Sequence, residues 1–213
     1  YAAGKAQVDA RGPLTQWNVG LGYVTRDAYG DGRIALGVNI PYASKRQDVS
    51  GSASTPSLNW SAAVPTSTQT AVAAQFSAQY QGSLAAQAAA MSGEVSGLGD
   101  VELQAGWLYT TAKLRLLAGG SLVLPTGRYN ASTGPDIGVG NFYTLRPSVQ
   151  AAYLPVPDIA LAGKVTLGIN TTNQDNKLRS GNWAGLEAAA GYMTRLGPVG
   201  LHVIHVQQYQ DDS

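Results

Sequence analysis

Along most of this 213-residue chain, apolar and polar residues alternate with a period of two. From Gly97 to Tyr129, Val101, Leu103, Ala105, Trp107 and Tyr109 fall on one face, and Asp100, Glu102, Gln104 and Gly106 on the other. After Thr110–Lys113 the alternation resumes, with Leu114, Leu116, Ala118, Leu122 and Leu124 opposed to Arg115 and Ser121. Successive side chains of a strand point to opposite sides of a sheet, so this stretch predicts a long hairpin with one apolar and one polar face. A tight turn that pairs Thr110 with Lys113 sets Trp107 opposite Leu116, Val101 opposite Leu122 and Glu102 opposite Ser121. Apolar then meets apolar and polar meets polar.

The same signature recurs. Trp17, Val19, Leu21 and Tyr23 share a face, and so do Ile34, Leu36, Val38, Ile40 and Tyr42 beyond the DAYGDG turn. Further strands are predicted at 143–153, 159–169 and 184–192, with a bulge expected at Pro147, which cannot donate to a ladder. In the last segment, GLHVIHVQQYQ, both phases are apolar. Placing Ile204 and Val206 outward and His205 and Gln207 inward keeps a histidine out of lipid. Ala6, Val8 and Ala10 mark a partial strand, giving eight clear strands plus one partial.

The pattern breaks between residues 47 and 97, too long for an ordinary connection. The first part is Ser/Pro-rich and reads as loop. In the second, Val72, Phe76, Tyr80, Leu84, Ala88 and Met91 recur every three or four residues, which predicts an amphipathic helix over 67–91. Thr66 and Gln69 have capping-box spacing, and Gly93 can close the C-terminus. The segment is read as a loop insertion within a single β domain covering 1–213.

Connection lengths alternate. DAYGDG, TTAK, LPVPD and LGP are short, whereas 47–97, 129–141 and 173–182 are long. Short turns at one end and long loops at the other characterise outer-membrane barrels. Composition agrees: charged residues make up 13% of the chain, against roughly 25% in soluble domains, while mean hydropathy is only −0.08. A chain that is neither charged nor greasy suits a barrel with lipid outside and water inside. A soluble all-β sandwich is the rival, but few charges are available to coat its exterior. The aromatic residues Trp107, Tyr109, Tyr153 and Tyr192 near the short turns, and Tyr42, Tyr129, Tyr143 and Trp183 near the long loops, are placed as interfacial girdles. No run approaches the ~18 apolar residues of a membrane helix. The net charge of +1 gives no nucleic-acid footprint, and the absence of cysteine removes thiolate chemistry. Tyr1 reads as a mature or trimmed start.

The inward charges define the candidate site. Arg33, Asp100, Glu102, Gln104, Arg115, Arg146, Lys164, Glu187 and His205 are expected to line a lumen, either pairing to fill it or biasing what passes. Both signs occur, so strong ion selectivity is not expected. The helix stripe Val72, Phe76, Tyr80 and Leu84 is expected to rest on the mouth or upper lumen and narrow it, with Leu117 and Val123 as apolar footing. Loop-packed and plugging placements remain open. No catalytic motif, metal site or cofactor site is expected. A serine–histidine lipid enzyme using His202 or His205 with Glu187 or Asp100 can be drawn, and so can a structural or adhesion barrel with a filled lumen.

The segments GLGDVEL, LPTGRY, GVGNFYTLRPSVQAAYLP and the G-I-N-T-T strand, within Gly97–Tyr209, resemble the outer-membrane proteins linked to the meta pathway of phenol degradation. The resemblance implies a Gram-negative outer-membrane channel for passive passage of small, hydrophobic or aromatic molecules. Outer-membrane lipid and lipopolysaccharide would surround it, and a small-molecule solute would be its ligand. A family-like barrel has about twelve strands. The last strand runs into QDDS on the long-loop side, so further C-terminal strands are expected beyond Ser213. The Ala/Gln-rich helix departs from the family pattern.

Overall fold

The computed structural model describes residues 2–3, 5–55, 57–61 and 63–213, with the backbone alone for Ala2 and Ala3. Tyr1 lies outside the described residues. The elements in chain order are β1 (Ala2–Ala3), β2 (Ala6–Arg11), β3 (Leu14–Val24), β4 (Gly32–Ala53), β5 (Ser57–Leu58), α1 (Thr66–Met91), β6 (Gly93–Leu98), β7 (Glu102–Thr110), β8 (Leu114–Val123), β9 (Thr144–Val156), β10 (Ile159–Asn170), β11 (Trp183–Thr194) and β12 (Gly197–Gln208). Ten strands belong to one antiparallel sheet, and β1 pairs with β5 separately. Every strand expected from alternation is present. Contacts divide the chain into two units: Tyr1–Gln16, Ala43–Gly97 and Ser132–Ile137, and Trp17–Tyr42, Leu98–Ala131 and Gly138–Ser213.

In the second unit the strand order is β12-β11-β10-β9-β8-β7-β4, and β3 also pairs with β4. No pairing among the described residues joins β12 to β3, so the sheet is open. The β7–β8 register differs from the expected one by two residues: Glu102 pairs with Val123 and Thr110 with Arg115. The cause lies in the turn. Thr111 N–H donates to the Leu114 carbonyl, and the Thr111 hydroxyl accepts from Leu114 N–H at 2.9 Å. A shift of two preserves every face, so cross-strand matching could not have detected it. Pro147 carries no bulge. Its ladder to β10 is interrupted between Ser148 and Leu145, but the register resumes unchanged, and the one shift falls between Ile159 and Leu161.

The phase expected for β12 is reversed. Glu187 pairs with Ile204 and Leu186 with His205, so His202, Ile204 and Val206 share the polar face while His205 lies with the apolar residues. Both phases of β12 are apolar, so its neighbour β11 decides. Trp183, expected in an outer girdle, has the parity of Glu187 and also lies on the polar face.

In the first unit, β4 continues to Ala53 and pairs with β2 from Arg11↔Asp48 to Ala6↔Ala53, where loop was expected from residue 47. Small and polar residues occupy both phases there, which erases the contrast that marks a strand. Helix α1 matches the predicted span, but its caps differ. Pro65 is the N-cap, with no side-chain cap bond, and Gln69 instead donates to the Val64 carbonyl at 2.8 Å. Ser92 ends the helix, its hydroxyl donating to the Ala88 carbonyl at 2.9 Å and accepting from Val49 N–H at 2.8 Å. Gln81 donates to the Ala53 carbonyl at 2.6 Å. The buried and half-buried positions of α1 are Gln69, Ala73, Ser77, Tyr80, Gln81, Leu84 and Ala88, and Leu84 lies against Gly51 of β4. Val72 and Phe76 stay exposed, so the expected apolar stripe is split.

Candidate functional site

Strand register alone assembles the polar face of the second unit, because residues directly paired across antiparallel strands share a side. One line across the sheet is Arg33–Leu108–Leu117–Gln150–Lys164–Glu187–Ile204. The next line is Ala35–Gly106–Gly119–Ser148–Thr166–Gly185–Val206. Beyond it, Gly37, Gln104, Ser121 and Arg146 are paired in succession, and Gly168 pairs with Trp183. The middle line is built from small residues and forms a trough between two lines that carry charge. Close strand approach requires some of these glycines: a Cβ on Gly119 would fall 2.2 Å from the Ala105 carbonyl oxygen.

Of the expected lining residues, Arg33, Glu102, Gln104, Arg115, Arg146, Lys164 and Glu187 share this face. Lys164 Nζ lies 3.1 Å from Glu187 Oε1, and His202 Nε2 lies 3.2 Å from Glu187 Oε2. Arg146 Nη1 is 3.6 Å from Glu102 Oε1, beyond ordinary hydrogen-bond length, and that carboxylate oxygen also accepts from Ser121 Oγ. The Arg146 guanidinium sits 5.8 Å from the centroid of the Trp183 ring. Arg33 and Arg115 are exposed and have no ion pair among the described residues. Half-exposed pairs of this kind stabilise by about 0–1 kcal/mol each, so they shape the face more than they hold the fold.

Two expectations do not fit. His205 lies on the opposite face, as its pairing with Leu186 requires. Since His202 takes the polar face, the two histidines share no site. Asp100 lies outside β7, and its carboxylate is engaged by loop backbone: Oδ1 accepts from Gly127 N–H at 2.8 Å and Oδ2 from Val139 N–H at 2.9 Å. Thr126 completes the clasp, its hydroxyl accepting from Val101 N–H and donating to the Gly99 carbonyl, both at 2.9 Å. The motifs GLGD, LPTG and GVG thus meet in one loop junction. A Cβ on Gly127 would fall 2.6 Å from the Gly138 Cα, so their glycines serve close approach.

Sequence reasoning did not name Trp183, His202 or Thr166 as lining residues, and it missed the trough. The parity of Trp183 with Glu187 signalled its face, whereas the trough follows only from the joint register of seven strands. A cavity of about 580 Å³ lies over β3, β4, β7 and β8, with Gly37, Gln104 and Gly119 in its wall. Another of about 340 Å³ lies over Arg146, Ser148, Thr166, Trp183 and Gly185. Glu102, Gln104, Ser121, Ser148 and Lys164 line both. No cluster of three His, Cys, Asp or Glu side chains suited to a metal occurs among the described residues.

A family model described as "Putative MetA-pathway of phenol degradation" matches residues 2–213. The match takes in the N-terminal third, which the sequence motifs did not. Among solved structures, the chain is similar to the COG4313 outer membrane channel from Pseudomonas putida F1. Identity is 15%, coverage is 94% of this chain and 72% of that one, and the TM-score is 0.51. The likeness shows the fold alone, an antiparallel all-β architecture. Comparison with curated proteins gives no match.

Proposed function

The chain belongs to the family of the MetA pathway of phenol degradation, and from that premise we propose that it is an outer-membrane channel for passive passage of small molecules, hydrophobic or aromatic ones included. The observation that carries this reading is the two-faced sheet. On one side, Leu103, Val149, Leu161, Val165, Leu186 and Tyr192 are large, apolar and exposed. On the other, charged and small polar residues border two adjoining cavities. Such alternation suits a sheet between hydrocarbon and water. The similar solved structure is itself an outer membrane channel. Lipid and lipopolysaccharide would then cover the apolar face.

Asp100 is spent on loop backbone, so the polar face carries Arg33, Arg115, Arg146 and Lys164 against Glu102 and Glu187. This excess of cationic side chains favours anions mildly, as rings of charge do in pores. Helix α1 is assigned the part of restricting passage, a role supported by its exposed Val72 and Phe76, which gain by leaving water.

The test is reconstitution of the full-length chain in planar bilayers under a salt gradient. Conductance with a reversal potential on the anion side is expected. A folded protein that passes neither ions nor small solutes contradicts the reading.

A further inference from the structure

We propose that the small-residue trough is a binding subsite for an aromatic monocarboxylate, an inference that rests on the channel reading and names a solute class for it. The trough is one residue line wide. Its flanking lines stand two residues away along each strand, about 6.8 Å on either side at ~3.4 Å per residue. Gly185 leaves its floor flat beside Ser148 and Thr166, and the cavity above holds about 340 Å³, at the small end of ligand pockets.

Two side chains in the wall of this cavity carry donors that lack acceptors. Thr166 is 9% exposed and its hydroxyl has no partner among the described residues; the Arg146 Nε–H lacks one as well. A buried donor without an acceptor is costly, and here both donors belong to side chains in the wall of the same cavity. The protein's own acids do not fill the need. Glu102 stands 3.6 Å from Arg146 Nη1 and is engaged by Ser121, while Glu187 is held by Lys164 and His202. A ligand that brings oxygen acceptors and negative charge completes the set, because a carboxylate matches a guanidinium edge.

The rest of the wall sets the ligand's body. Trp183, Ile204 and Val206 supply apolar surface beside the glycine floor, which suits a flat ring. Glu102 and Glu187 in the same wall disfavour a dianion such as phosphate. Arg146 and Lys164 in the same wall disfavour a cation.

The test is calorimetric titration of the full-length chain, folded in detergent micelles, with sodium benzoate, benzyl alcohol and sodium acetate. Benzoate is expected to bind at least about tenfold more tightly than either, since one lacks the charge and the other the ring. Arg146→Gln should weaken benzoate about tenfold and Thr166→Val several-fold. Gly185→Leu should remove binding by filling the trough; a Cβ there meets Trp183 at 3.4 Å and Val206 at 3.8 Å, both ordinary contacts. Circular dichroism of each variant verifies the sheet. Absence of benzoate binding to the folded chain overturns the proposal, as does equal binding of benzoate and benzyl alcohol, or binding unchanged in both R146Q and T166V. The channel reading fails separately: a folded chain that binds benzoate but passes no solute keeps the subsite and loses the channel. A conducting chain indifferent to benzoate does the reverse.

Discussion

Val149 and Val165 pair across β9 and β10 on the apolar face, and one residue along each strand Ser148 and Thr166 pair on the polar face. The two valines are about half exposed, whereas Thr166 is buried. On the apolar face, large side chains point outward and touch few neighbours, which is tolerable only if something other than water covers them. On the polar face, size varies from line to line, and the smallest line makes room between charged ones. The difference shows what each face is selected for: the apolar face needs only hydrophobicity, while the polar face needs a particular residue at a particular register.

The sharpest way to break this contrast is to place the same charge on either side of one strand. Val149→Arg should cost about 2–4 kcal/mol near mid-membrane and prevent stable insertion, measured by folding into lipid vesicles under urea. Ser148→Arg should insert like the wild type and lower conductance by occupying the trough. Equal stability of the two variants would erase the distinction between faces. Next in size is Gly119→Ala, whose Cβ meets the Ala105 carbonyl. A loss of about 1–3 kcal/mol, typical of overpacking, should appear in the same unfolding assay, whereas Gly185→Ala should be close to neutral.

Much of this was legible. The alternation marked the strands of the second unit, because all of them but β12 have one apolar and one polar phase. Where that contrast fades, the reading fails. Residues 47–53 of β4 are small or polar at every position but Val49, so they read as loop. Residues 201–206 of β12 are apolar in both phases, so their orientation had to come from β11. The β7–β8 register follows the turn at Thr111, closed by its N–H and its hydroxyl on Leu114, which no pattern of faces records. Asp100 was placed in the lumen by parity, but it lies two residues before the strand, where loop amides claim it. The trough was beyond reach because its members come from seven strands and adjoin only after all the registers are set.

Two smaller effects sharpen the same contrast. Thr111→Val removes the acceptor for Leu114 N–H without touching either face, so a loss of about 1 kcal/mol should leave conductance unchanged. Deleting residues 66–91 should alter the second unit's sheet least, and solute flux in swelling assays should rise. Flux equal to that of the intact chain would remove the restricting role from α1.

The measurement that bears most directly on the two-faced sheet is a single-cysteine scan along β10. The chain contains no cysteine, so each introduced thiol reports alone. Positions 161 to 167 are replaced one at a time in the full-length protein, reconstituted in vesicles and exposed to a charged, membrane-impermeant thiol reagent. Ala162 and Lys164 positions are expected to react from water, and Leu161, Val165 and Leu167 positions to be protected while reacting with a lipid-soluble maleimide. Uniform labelling, or protection at the even positions, would contradict the assignment of water to one face and lipid to the other.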